Sequence, residues 1–290
     1  MAMLGLIRDL NRKHQWTLQV WHGNHGWHQE AQHCCDGLKA WCQDQDLPFQ
    51  SESANPDEVQ SEARARAWRY ARLEATARKL QAVVATAHTA TDRTETLMLQ
   101  LARGTDLRGL CSLREQRPIR EHTYPAIQLS RPMLVFQRNN TKEICKTLNL
   151  PTWIDPTNAS PSFARNRVRN EVLPVLEELY PGCSERISDL SERLSKIQDI
   201  QQELVDACLD NNEGSASKIR ELIKTSSLPV RRVLVNRWIS QQGAPTLNAD
   251  DLDRVCRRLG PRQPAGSTNL ARGWQISWTK KNLALTPPEA

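Results

Sequence analysis

No apolar run in this chain approaches the ~20 residues that cross a bilayer, and its N-terminus has no basic stretch followed by an apolar one, as a secretory leader would have. A membrane partner is therefore not expected. The eight cysteines include no C-x-x-C pair and no paired framework; Cys34, Cys35 and Cys42 share one predicted helix. That pattern excludes a disulfide scaffold and fits free buried thiols in a reducing, cytoplasmic setting. No internal repeat occurs. No glycine-rich loop follows a strand anywhere in residues 1–60; His22-Gly23-Asn24-His25-Gly26 comes nearest but lacks Ser or Asp.

What is present suffices for one large or two modest domains: 290 residues, 39% of them hydrophobic. The net charge of +6 is unevenly spread. Residues 1–216 carry 26 Lys/Arg against 28 Asp/Glu, whereas residues 217–290 carry 13 against 5. A basic terminal module on a near-neutral body points to a polyanionic partner, most simply nucleic acid; a solvated basic surface is the plainer reading.

Periodicity predicts a helix over 2–13, a strand over 16–22 with a turn after it, and a helix over 29–45. A short extended segment follows at 48–51, then a long helix from 55 to 79 with Pro56 in its first turn. The apolar run 80–86 reads as a buried strand, and 92–102 as a helix. Alternating strands and helices predict an α/β fold, a Rossmann-like parallel sheet covered by helices on both faces. Residues 104–138 are loop-rich and arginine-rich. A short helix spans 141–149, a turn cluster covers 151–158, and a helix opening at Arg165 is closed by Pro174. A long amphipathic helix over 183–210 leads to a linker at 211–217. Residues 218–259 are helical and 267–286 form short strands around Trp274 and Trp278, giving a mainly helical C-terminal domain.

The densest chemistry lies between the strand at 80–86 and the helix after it. His88, Asp92 and Glu95 sit at the carboxyl end of a strand, where open α/β sheets bind ligands. Asp92 and Glu95, three residues apart, share one helix face and suit a cationic ligand or a metal. Helix capping is the rival reading, with Thr91 or Asp92 as N-cap and Glu95 as capping-box partner. Glu62, Arg66, Arg69 and Tyr70 recur at helical spacing, either as an ion-pair ladder or as guanidinium forks turned into a site. Arg103 before Gly104 reads as a helix C-cap or as a partner of the acidic pair. Arg165, Arg167 and Arg169 at a helix start could hold a phosphate or line a solvated face. Histidines 22, 25, 28 and 33 with Cys34 and Cys35 match no zinc-finger spacing; a strand end lining a nucleotide pocket is the better reading.

In order and spacing these segments, over roughly residues 1–175, resemble the tRNA(Ile)-lysidine synthetases of the PP-loop ATP pyrophosphatase superfamily. The segments are His88-Thr-Ala-Thr-Asp92-Arg-Thr-Glu95-Thr96, Arg103-Gly104-Thr-Asp-Leu-Arg-Gly109-Leu110, Arg131-Pro132-Met133, Asp155-Pro-Thr157-Asn158 and Arg165-Asn166-Arg-Val-Arg169. His22-x-Asn-His25-Gly26 and Glu62-x-x-x-Arg66-x-x-Arg69-Tyr70 fit too. Thr89 and Thr91 stand where the family pattern has His and Asp.

The resemblance implies a catalytic domain over 1–180 with the PP-loop, adenine nucleotide alpha hydrolase-like fold, a connector over 181–216 and a basic tRNA-binding domain over 217–290. It implies a ligase that adenylates C2 of the wobble cytidine of a tRNA(Ile) with a CAU anticodon, then attaches lysine there. ATP and magnesium are the implied cofactors, tRNA(Ile) and L-lysine the partners, and a homodimer the assembly. Asp92, Glu95, Arg66 and Arg103 would seat lysine. His22, His25 and His88 would line the ATP pocket, and Arg165, Asn166 and Arg169 would bind tRNA. The family opens with a strand and a phosphate loop, S-G-G-x-D-S, that this sequence does not contain, so the expectation is a truncated N-terminus in which Val20 and Val83 lose a neighbouring strand. Two rival readings remain: a tRNA-binding pseudoenzyme without ATP chemistry, and another PP-loop enzyme such as a tRNA thiolase, which would need paired cysteines.

Overall fold

The computed structural model of the chain describes residues 1–26, 30–120, 125–153, 160–161, 163–212, 215–245 and 247–288. His28, the Asp155–Asn158 segment and residues 213–214 of the expected linker lie outside them. The chain forms two compact units, Met1–Ser195 and Lys196–Ala290.

In the first unit α1 (Ala2–His14) ends where Gln15 turns left-handed. Strand β1 (Val20–Asn24) pairs in parallel with β2 (Phe49–Ser53), and α2 (Glu30–Asp44) packs on both. β1 begins four residues later than its apolar pattern suggested, because its ladder partner starts at Phe49, opposite Val20. The long helix expected from 55 is two elements. A 3-10 turn, Pro56–Glu58, is followed by α3 (Glu62–Leu80), which restarts on Ser61, whose Oγ accepts the Arg64 amide. Val59, between them, is buried against Ala65 and Trp68.

Gln81, left-handed, ends α3, so β3 is only Val84–Ala85. It pairs in parallel with β5 (Gln128–Ser130), which carries antiparallel β4 (Gln116–Pro118) on its other side. Among the described residues no ladder joins β1 to β3, and Val83 is 64% exposed. Tyr70, Ala77, Val84, Ile119, Ile127 and Leu129 form the core where α3 covers this sheet.

Then come α4 (Ala90–Ala102), α5 (Leu107–Leu110), α6 (Arg138–Thr147) and α7 (Ala164–Arg167). α7 runs through a π turn, Val168–Val172, into α8 (Leu173–Leu179). Pro174 does not close the helix: it stands in the first turn of α8, where a missing N–H is tolerated.

Helix α9 (Cys183–Asp210) spans the boundary at Ser195. The second unit continues with α10 (Ala216–Thr225), α11 (Leu228–Gln241) and α12 (Ala249–Arg258), then an antiparallel sheet of β6 (Gly266–Asn269), β7 (Gln275–Trp278) and β8 (Leu283–Thr286). Its core gathers Ile223, Val235, Ile239, Val255, Leu259 and Ile276. Two buried arginines close helix ends there. Arg231 donates to the carbonyls of Ile223, Lys224, Ser226 and Cys256, and Arg220 to those of Leu259 and Thr279.

Candidate active site

The carboxyl ends of β1 and β3 open on one cavity of about 670 Å³ within the first unit. β1 contributes His22, Gly23 and Asn24, with His25 and Gly26 behind them; Thr86, Ala87 and His88 follow β3. Helix α3 turns Glu62, Arg66, Arg69 and Tyr70 into it, so the helical spacing in the sequence is a site face. Asp92, Arg138, Arg165, Asn166 and Arg169 complete the polar wall. Trp153, Phe163 and, from α2, Ala31 and Cys34 supply apolar surface.

The acidic pair is already occupied. Thr89, not Thr91, is the N-cap of α4, and Asp92 Oδ2 closes the capping box by accepting the Thr89 amide at 2.7 Å and its hydroxyl at 2.9 Å. Asp92 Oδ1 takes Arg165 at 2.9 Å and Arg138 at 3.2 Å. Glu95, with no exposed surface, is no cap. It holds Arg165 Nε at 2.7 Å on one oxygen and Arg169 Nε at 2.5 Å on the other. Such charge-assisted bonds are the strong ones, and a buried carboxylate requires them. Burial by itself would raise the Asp92 carboxyl, but the Thr89 amide, Arg165 and Arg138 outweigh it and hold it below the ordinary range. The Nη1 groups of Arg165 and Arg169 make no hydrogen bond among the described residues.

Burial disfavours the charged form of the three cavity histidines. Burial pulls His88 down to about 3, with Asp92 opposing and Arg131, Arg66 and Arg165 adding to the fall. Its Nδ1 lies 3.0 Å from the Thr86 hydroxyl. Burial, then Arg69 and His22, take His25 to about 4, and burial lowers His22. Tyr70 sits under guanidinium groups: Arg66 donates to its hydroxyl at 3.2 Å and lies 4.7 Å from the ring centroid. Burial raises the phenol, but Arg66, Arg131 and Arg117 more than offset that.

Two of the sequence expectations shift. Arg103 is exposed at the C-cap of α4 and does not line the cavity. Asp92 and Glu95 meet arginines, so Arg165 and Arg169 are framed by carboxylates before any ligand arrives. The structure adds Arg138, Trp153 and Phe163, which sequence reasoning passed over. Arg138 had one signal: a cation in the first turn of a helix is opposed by the helix dipole and needs another reason to be there. Among the described residues no group of three His, Cys, Asp or Glu side chains is placed to hold a metal ion.

A family model described as a PP-loop domain matches residues 1–176. The chain is similar to the tRNA(Ile)-lysidine synthase of Parasynechococcus marenigrum strain WH8102, at 47% identity over 290 residues, covering all of this chain and 86% of the relative. It is also similar to those of two Prochlorococcus marinus strains. For SARG the identity is 39%, with 98% of this chain and 86% of the relative covered. For NATL1A it is 37%, with 99% and 90% covered. Among solved structures, the U34-tRNA thiolase NcsA from Methanococcus maripaludis with its [4Fe-4S] cluster aligns with a TM-score of 0.55 at 16% identity, covering 67% of this chain and 69% of that one, a likeness of fold alone.

Proposed function

The chain belongs to the tRNA(Ile)-lysidine synthase family of PP-loop proteins, and we propose how its cavity carries that family's reaction. The protein is an ATP-using ligase that forms lysidine on tRNA(Ile). The cytidine C2 oxygen attacks the α-phosphorus and diphosphate leaves. The lysine ε-amine then adds at C2, loses a proton and expels AMP.

The observation that carries the reading is the carboxylate frame. Asp92 and Glu95 lock Arg165 and Arg169 in place, and Asp92 also holds Arg138. Their remaining donors, with Arg66 and Arg69, make a wall that fits a polyphosphate or an RNA phosphate by charge. His22, His25 and His88, whose charged forms burial disfavours, offer hydrogen bonds to the nucleotide. Asn166 keeps α7 in register by donating to the Ser160 carbonyl at 2.8 Å. Lysine's ammonium falls to Glu62, which lines the cavity and makes no hydrogen bond among the described residues. Magnesium would arrive with the polyphosphate, held by the phosphate oxygens, whose charge it would offset. The basic residues of 217–290 grip the tRNA body, the setting is cytoplasmic, and no helix is long and apolar enough to cross a membrane among the described residues. A homodimer belongs to the same reading, seated on the part of α9 that lies in the second unit, where Ile197 and Leu204 are exposed one heptad apart.

A pair of substitutions separates frame from ligand. Glu62→Gln should raise the KM for lysine about tenfold or more, the cost of one charge-assisted contact, without lowering the melting temperature. Glu95→Gln strips the countercharge from two half-buried arginines and should cost about 3 kcal/mol of stability, seen as a fall in melting temperature. A Glu95→Gln protein as stable as wild type, altered only in its lysine KM, would return the ammonium to the Asp92–Glu95 pair.

A further inference from the structure

Helix α2 supplies small side chains to the cavity: Ala31 and Cys34 line it, and Gly37 follows one turn on. A glycine in the middle of a helix costs roughly 1 kcal/mol relative to alanine. At Gly37 the space is used. A Cβ built there would lie 2.7 Å from Cε2, Cζ2 and Nε1 of Trp153. The indole therefore rests on the bare backbone of α2, and it is itself part of the cavity wall. Trp153 contributes a rigid aromatic plane, seated by a residue with no side chain, in a cavity that also presents the guanidinium groups of Arg165 and Arg169.

We propose that Trp153 is the stacking wall for a nucleobase in this cavity, and that Gly37 is the positioning residue that sets the depth of its ring. The inference rests on the reading that the cavity takes nucleotide substrates. A base offers a flat face for the indole to cover, while its phosphate meets Arg165 and Arg169. Base–aromatic stacking is sequence-tolerant, because every base has a π-face. Both heterocycles of the reaction, the adenine of ATP and the target pyrimidine, meet that chemistry, and the experiment distinguishes them.

The test uses the whole chain as wild type, Trp153→Leu, Trp153→Phe and Gly37→Ala. Affinity is measured separately for ATP, by calorimetry, and for an unmodified tRNA(Ile) transcript, by filter binding. Trp153→Leu should weaken one of the two by about tenfold or more; loss for ATP assigns the wall to adenine, loss for tRNA to the target base. Trp153→Phe should recover most of the loss, and the quenching of indole fluorescence by that ligand should shrink in it. Gly37→Ala, which moves the ring without changing it, should weaken the same ligand as Trp153→Leu. Unchanged affinity of Trp153→Leu for both ligands overturns the proposal, as does a Phe variant no better than Leu. Wild-type protein that binds neither ligand overturns the functional reading itself, a result read before any variant is compared.

Discussion

Asp92 divides its oxygens between two tasks, one closing the cap of α4 and the other fixing Arg165 and Arg138. From the sequence, capping and ligand binding were alternatives, because spacing gives the face a side chain shares and not the partner that comes to meet it. The partners stand 46 and 73 residues downstream, a separation that no local pattern encodes. The histidines were legible as pocket residues, but their charge state was not, since it follows from burial and from arginines brought in by folding. That state has a consequence for pH. An unfolded histidine titrates near 6.5, whereas His88 and His25 in the fold titrate near 3 and 4. Between those values the unfolded chain binds more protons, so the stability these groups contribute is complete above about pH 6.5 and is lost as pH falls toward 4. Denaturation midpoints at pH 7.5 and pH 5 should show the loss, and His88→Asn should flatten it. An equal decline in the variant would show that His88 already ionises freely in the folded protein.

Among the elements, the long helices were read well. α9 begins and ends where its periodicity says, at Cys183 and Asp210, because nearly eight turns of apolar spacing outweigh any single residue. Short ladders were not legible: β3 has two paired residues and β4 and β5 three each, too few for alternation to register, and their strand character comes from each other. Breaks were missed when a second cap restarts a helix, as Ser61 does, or when a π turn carries the chain past a proline, as at Pro174. α9 also shows an exposed seam. Ile197 is 54% and Leu204 64% exposed, one heptad apart within the second unit. Apolar residues at that interval are stabilised by a facing helix. In sedimentation velocity at micromolar concentration the protein should run as a dimer, and Ile197→Asp should make it a monomer. A wild-type monomer, or a dimer that survives the aspartate, contradicts the seam.

For the molecule as a whole, charge is informative only once burial is known. The basic excess of residues 217–290 was visible in the sequence, yet Arg220 and Arg231 are buried helix clamps, and Arg232 and Arg237 are paired with Asp253 and Asp206. The outward charge is Lys218, Arg254, Arg257, Arg258, Arg262, Arg272, Lys280 and Lys281, all exposed. Replacing Arg257 and Arg258 by Ser should lower the slope of log affinity for tRNA against log salt by about 0.7–0.9 per lost phosphate contact; an unchanged slope would make this surface merely solvated. The compact units divide at Ser195, inside α9, where composition does not change, so that division could not be read from the residues. If the guanidinium frame in the first unit serves the ligation, turnover should depend on the geometry of its forks. The most direct measurement is transfer of labelled lysine from solution to tRNA(Ile) with a CAU anticodon, with AMP counted alongside, for wild type and Arg165→Lys. The expected result is one AMP per lysine incorporated at the wobble cytidine, and a fall in kcat/KM of about a hundredfold when the bidentate fork becomes a single ammonium. Incorporation by Arg165→Lys at the wild-type rate, or incorporation without AMP, would contradict it.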